Sequence, residues 1–168
     1  DLGVIFMHNE GYSTGCGHAV IALTKVLIEM NLVQIIEPET KVKMDVPSGY
    51  IKSFAKIVNR NITNIRFQNV PSFVQSLDAE IDVPEIGSIK YDLAFGGAYY
   101  AIINVDQVKL KCTGEHHDAL IDKGMRIKKA IMNSVKIEHP IESEMDFLYG
   151  IIFTDIAQDS INHSRNVC

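Results

Sequence analysis

Apolar and polar positions follow different periods along this chain, and the changes of period predict its elements. Leu2 to Met7 is almost wholly apolar and predicts a strand. From Ala19 to Met30 only Thr24, Lys25 and Glu29 are polar. A helix apolar nearly all round is a buried one, so a buried helix is expected here, opening just after Cys16. Glu37-Pro38-Glu39 is a breaker, and Lys41 to Val46 then alternates Lys or Asp with Val42, Met44 and Val46, the period of a half-buried strand. Pro47-Ser48-Gly49 predicts a turn. Tyr50 to Val58 and Ile62 to Val70 predict a hairpin across Asn59-Arg60-Asn61, closed by Pro71.

A second run of strands follows, over Ala79 to Val83, Ser88 to Phe95 and Ala98 to Val105. Gly87 punctuates it, and Gly96-Gly97 is expected to be a bulge that bends a strand. Near Glu115 the period becomes helical. Leu120, Ile121, Met125, Ile127, Ile131 and Met132 supply the apolar side, and Lys123, Arg126, Lys128 and Lys129 are expected in solvent between them. Ile137-Glu138-His139-Pro140 ends that helix, and Phe147 to Thr154 predicts a strongly apolar strand. Strands and one helix thus occur twice, which predicts an α/β (α+β) chain with a joint near Ser76. Residues 1–76 form most of a first lobe and residues 77–168 the beginning of a second. Both ends read as cut: Asp1-Leu2-Gly3-Val4 starts without Met inside a strand, and Asn166-Val167-Cys168 stops as another begins.

Composition narrows the picture by exclusion. With 168 residues and 46% hydrophobic positions, the chain can bury a sizeable core. A net charge of −5 and the lack of a Lys or Arg run argue against nucleic acid as a partner. No apolar stretch reaches the roughly 18–20 residues a membrane span needs, so no membrane partner is expected. The 3 cysteines are odd in number and far apart, which gives no disulfide framework and makes a reducing cytoplasm the expected location.

The candidate chemistry lies in Tyr12-Ser13-Thr14-Gly15-Cys16-Gly17-His18-Ala19. A thiol at the head of a helix meets unpaired N–H groups and the positive end of the helix dipole, which bias it toward thiolate. Flanking glycines let a ligand approach the backbone closely. The N–H groups of Gly17 and His18 are then placed to cradle a carboxylate. The alternative reading makes Cys16 a small buried hydrophobe and His18 a satisfied core histidine. His116-His117-Asp118 invites a metal reading, but adjacent histidines point in different directions and no second ligand cluster accompanies them, so a solvated helix start with Asp118 as its N-terminal charge is expected and no metal. Cys112 reads as an incidental thiol.

His8-Asn9-Glu10-Gly11-Tyr12-Ser13-Thr14-Gly15-Cys16-Gly17-His18-Ala19 resembles the first active-site motif of the proline racemase family. That family contains proline racemases, 4-hydroxyproline epimerases and trans-3-hydroxy-L-proline dehydratases. Asn69-Val70-Pro71-Ser72-Phe73-Val74, Tyr91-Asp92-Leu93-Ala94-Phe95-Gly96-Gly97-Ala98-Tyr99-Tyr100-Ala101 and Phe147-Leu148-Tyr149-Gly150 match in the expected order, so the resemblance covers essentially the whole chain. One departure is Gly15, where family members usually carry methionine. The resemblance implies a diaminopimelate epimerase-like fold, in which two similar lobes each wrap curved β-sheet around a helix with the active site between them. It also implies chemistry without pyridoxal or any other cofactor, on a small proline-type amino acid, with Cys16 as catalytic base and Gly17 and His18 binding substrate. A homodimer is an admissible assembly.

The reaction depends on the residue facing Cys16 from the other lobe, which the resemblance places beyond Cys168; Cys168 itself matches a strand position. A second cysteine there returns the proton and inverts the centre, giving a racemase or epimerase. A threonine cannot return it, and a 3-hydroxyl then leaves as water. His8-Asn9-Glu10-Gly11-Tyr12-Ser13 and Phe147-Leu148-Tyr149-Gly150-Ile151-Ile152 look more like the dehydratases. Dehydration of trans-3-hydroxy-L-proline is therefore the expected reaction, with the two-cysteine isomerases and an inactive fragment as alternatives.

Overall fold

The computed structural model describes residues 2–9 and 11–168, and Asp1 and Glu10 lie outside it. The chain divides into two compact units, residues 1–71 and 72–168. The division falls between Pro71 and Ser72, and the joint expected at Ser76 lies inside the first strand of the second unit.

In the first unit, β1 (Leu2–Gly3), β2 (Phe6–His8) and β3 (Gly11–Ser13) precede α1 (Gly17–Glu29); β4 (Glu39–Val46), β5 (Gly49–Val58) and β6 (Asn61–Gln68) follow it. The apolar run from Leu2 to Met7 is two strands, not one. β1 pairs parallel to β4, the Val4 N–H donates to the Asp45 carbonyl at 2.8 Å, and the chain then turns into a β2–β3 hairpin. Continuous apolarity hid that break because it carries no punctuation. β4, β5 and β6 form the predicted meander, giving the sheet order β1-β4-β5-β6.

The buried helix is only half buried. Val20, Thr24, Leu27 and Ile28, spaced to share one face, are enclosed. Ile21, Val26 and Met30 are 39%, 44% and 64% exposed. A single sheet covers one side of a helix, and burial of the other side needs a further layer. Thr24 fixes the rotation of the helix on its sheet. Its hydroxyl donates to the Val20 carbonyl at 2.7 Å and lies 2.7 Å from the Ser53 hydroxyl of β5, and both residues are buried.

The second unit opens with β7 (Phe73–Val83), β8 (Gly87–Phe95) and β9 (Tyr99–Asn104), continues through α2 (His117–Ser134), and ends with β10 (Leu148–Asp155) and β11 (Arg165–Val167). The sheet order is β11-β10-β9-β8-β7, with β9 and β10 parallel across α2 and the other pairs antiparallel. β7 begins earlier than its sequence suggests because its register shifts around Ser76, and Asp78 has a φ of 50°. Those irregularities break the alternation that would otherwise mark a strand. Gly96 and Gly97 are not a bulge: they turn β8 into β9, with Phe95 opposite Tyr99. The core gathers Phe73, Phe95 and the fully buried Tyr99, whose hydroxyl donates to the Glu138 carbonyl at 2.6 Å. Two lysines expected in solvent instead tie α2 down. Lys123 Nζ donates to the Val108 carbonyl at 2.6 Å, and Lys128 Nζ to the Tyr149 carbonyl at 2.7 Å.

Candidate active site

Cys16 is the N-cap of α1, with φ −150° and ψ 104°, and it is half-buried. Its carbonyl accepts the Val20 N–H at 3.0 Å, the first bond of the helix, while its thiol makes no capping bond. The N–H groups of Gly17, His18 and Ala19 therefore lie outside the helical ladder. The first turn carries no acidic side chain to occupy its positive end. Gly17 and His18 are both exposed. This segment thus combines an open thiol with open backbone donors, the arrangement anion binding requires.

The approach to Cys16 is tightly specified. Ser13 Oγ donates to the Gly15 carbonyl at 2.8 Å, a short side-chain turn ahead of the thiol. The Ser48 N–H donates to the Thr14 carbonyl at 3.0 Å, pinning the β4–β5 turn to this loop. Gly17 has a packing reason to lack a side chain as well as a chemical one. A Cβ there would lie 3.1 Å from the ring of Phe67 on β6. The motif residue Glu10 lies outside the described residues, so the contribution of that position is not assigned.

The other singled-out residues go elsewhere. His116 Nδ1 faces the Lys111 backbone, 3.0 Å from its N–H, whereas His117 Nδ1 lies 2.8 Å from Asp118 Oδ1, so the adjacent histidines serve different partners. Among the described residues no group of three or more His, Cys, Asp or Glu side chains converges as metal ligands would. Cys112 is fully buried. Its N–H donates to Asp155 Oδ2 at 2.9 Å, its sulfur lies 3.7 Å from the Phe153 carbonyl oxygen, and burial pushes its thiol pKa up. Cys168 borders an apolar cavity of about 510 Å³ in the second unit, shared with Leu120, Gly124, Tyr149 and Phe153. Burial raises the Cys168 thiol as well, partly offset by a hydrogen bond from Tyr100. That cavity was not readable in sequence, because it needs the crossover that lays α2 beside β10. No helix among the described residues is long and apolar enough to cross a membrane.

Known proteins resemble this chain along almost all of its length. The chain is 44% identical over 167 residues to the trans-3-hydroxy-L-proline dehydratase of Colwellia psychrerythraea, covering 99% of this chain and 47% of that protein. It is 38% identical over 168 residues to the 3-hydroxyproline 2-epimerase of Burkholderia multivorans, covering 100% of this chain and 50% of that protein. The chain spans about half the length of the curated relatives it matches. Its fold superposes on a probable proline racemase from Agrobacterium radiobacter K84 with a TM-score of 0.88 at 30% identity, over 98% of this chain and 48% of the other. A hydroxyproline epimerase from Agrobacterium vitis, solved with trans-4-OH-L-proline, gives a TM-score of 0.87 at 28% identity, over 98% and 47%. The expected mixed α/β fold, with sheet and helix in each of two units, is therefore the one observed. The proline racemase family model matches residues 1–168, and the chain belongs to that family.

Proposed function

We propose that the complete protein carrying this chain removes the α-proton of a proline-type amino acid with Cys16 as its base, and that its reaction is dehydration of trans-3-hydroxy-L-proline. The observation that carries the reading is the placement of Cys16: a thiol between glycines that makes no capping bond, directly ahead of the first helical N–H groups. An α-proton is weakly acidic, so its removal demands a positioned base and stabilisation of the charge that develops. In this scheme the Cys16 thiolate takes the proton while the N–H groups of Gly17 and His18 hold the substrate carboxylate. The Cα–H electron pair becomes a C2–C3 double bond as the C3–O bond breaks, and the hydroxide leaves with a proton as water. The product rearranges to the cyclic imine. Every bond made or broken belongs to the substrate or the thiol, so no pyridoxal and no metal is needed.

Greater identity to a dehydratase than to an epimerase supports the lyase, at 44% against 38%. The isomerase remains the second reading, supported by likeness to the hydroxyproline epimerase structure. The complete protein is to be incubated separately with L-proline, trans-4-hydroxy-L-proline and trans-3-hydroxy-L-proline. An imine trapped by o-aminobenzaldehyde from the 3-hydroxy substrate alone is expected, and loss of optical rotation without imine establishes the isomerase instead. Cys16→Ser should abolish turnover with the fold intact; near-normal turnover would remove Cys16 from its role.

A further inference from the structure

Gly15 stands immediately before the thiol, and nothing in its backbone conformation demands glycine. The glycines with positive φ are Gly11, Gly49, Gly87 and Gly97, so Gly15 has a conformation any L residue adopts. What crowds a side chain there is a neighbour. A Cβ on Gly15 would lie 3.3 Å from Ser48 Oγ, tighter than side chains ordinarily pack. The same hydroxyl oxygen is buried and has no hydrogen-bond partner among the described residues.

Buried hydroxyls ordinarily bond within the protein, and this one instead packs against the chain before Cys16. Its neighbour is the space over Gly15. Ser48 occupies the second position of the two-residue turn joining β4 to β5, where Val46 pairs with Gly49. Its N–H holds the Thr14 carbonyl at 3.0 Å, which fixes the Ser48 backbone against the loop before Cys16. Ser13 Oγ also donates to the Gly15 carbonyl at 2.8 Å. The residue before Cys16 is thereby clamped from two strand ends.

We propose that Ser48 is a positioning residue for Cys16: its hydroxyl fills the volume a side chain at position 15 would need, and so fixes the turn that delivers the thiol to α1. The proposal deepens the reading of Cys16 as base and rests on it. Proton abstraction is steeply sensitive to placement, and an error of about 1 Å can cost about 100-fold in rate. Gly15 and Ser48 are a matched pair, and a change at one is judged only against the other.

A double-mutant cycle tests this on the complete protein, with Gly15→Ala, Ser48→Ala and the combination. Two readouts are taken: kcat against KM on the substrate that turns over, and the rate and pH midpoint of iodoacetamide labelling of the Cys16 peptide by mass spectrometry. Gly15→Ala should lower kcat and shift the Cys16 labelling profile, with an effect of about tenfold on kcat and little on KM. In the Ser48→Ala background the same substitution should cost less than about twofold, because the atom it collides with is gone. Additive effects overturn the proposal, as does a Ser48→Ala protein whose kcat and labelling profile both match the parent. Faster labelling of buried Cys112 alongside Cys16 would mark general loosening and equally overturn it. A Cys16→Ser protein that still turns over defeats the reading of the base yet leaves the labelling cycle intact, so the two failures are separable.

Discussion

Each unit places a cysteine shortly ahead of its helix, and the two cysteines have opposite surroundings. Cys16 adjoins α1 directly, half-buried, with a thiol that makes no capping bond. Cys112 lies a short turn before α2 and is 0% exposed, its amide held by Asp155 and its sulfur against the Phe153 carbonyl. Position in the element order is thus no guide to reactivity. The neighbours decide: glycines on either side of Cys16 keep the backbone open, whereas β10 closes over Cys112.

The largest expected expression of this contrast is chemical. Iodoacetamide at mild alkaline pH should label Cys16 at least about 100-fold faster than Cys112, because burial both blocks Cys112 and raises its pKa. Peptide mass spectrometry over a time course reads the ratio, and equal rates would erase the distinction. A smaller effect tests what encloses Cys112. Asp155 accepts the N–H groups of Cys112 and Ile156 at 2.9 and 2.7 Å, and these bonds, with Lys111 nearby, hold its carboxyl below the usual carboxylate range. The folded value lies under the unfolded value of about 3.9, so the stabilisation is fully present above about pH 4 and is lost as pH falls through the folded pKa. Asp155→Asn should therefore lower the thermal midpoint at neutral pH and flatten the acid limb of the midpoint–pH curve. An unchanged acid limb would show that Asp155 does not anchor this corner.

Sequence made the regular parts legible and hid the irregular ones. The β4–β5–β6 meander, the β8 and β9 strands and the two helices follow from period and punctuation, since alternation and turn residues are local signals. The β1–β2 break was hidden because Val4 and Ile5 are as apolar as the strands around them. The pattern marks β7 only from Ala79 onward, because the left-handed Asp78 and the register shifts at Ser76 destroy its alternation. At the candidate site, Cys16, Gly17 and His18 were all visible as a motif. Ser48 was visible only as a turn residue, because its contact with the loop before Cys16 is a tertiary one. The outer side of α1 is exposed in this chain, and composition cannot say how many layers surround a helix.

The strand connections also carry a temporal consequence. The β4–β5 and β5–β6 pairings join strands adjacent in sequence, so each closes a short loop. β9 and β10 lie parallel and cannot meet until the chain has passed through α2 and returned. Closing that larger loop costs chain entropy before any pairing offsets it, which slows the step. On refolding of the complete protein, pulsed hydrogen exchange should find β5 amides protected before those of β10, with the reverse order separating the kinetics from the topology. The loop that presents Cys16 is pinned to the β4–β5 turn from across α1, so its placement waits on a crossover of its own and follows the local pairing of β4 with β5.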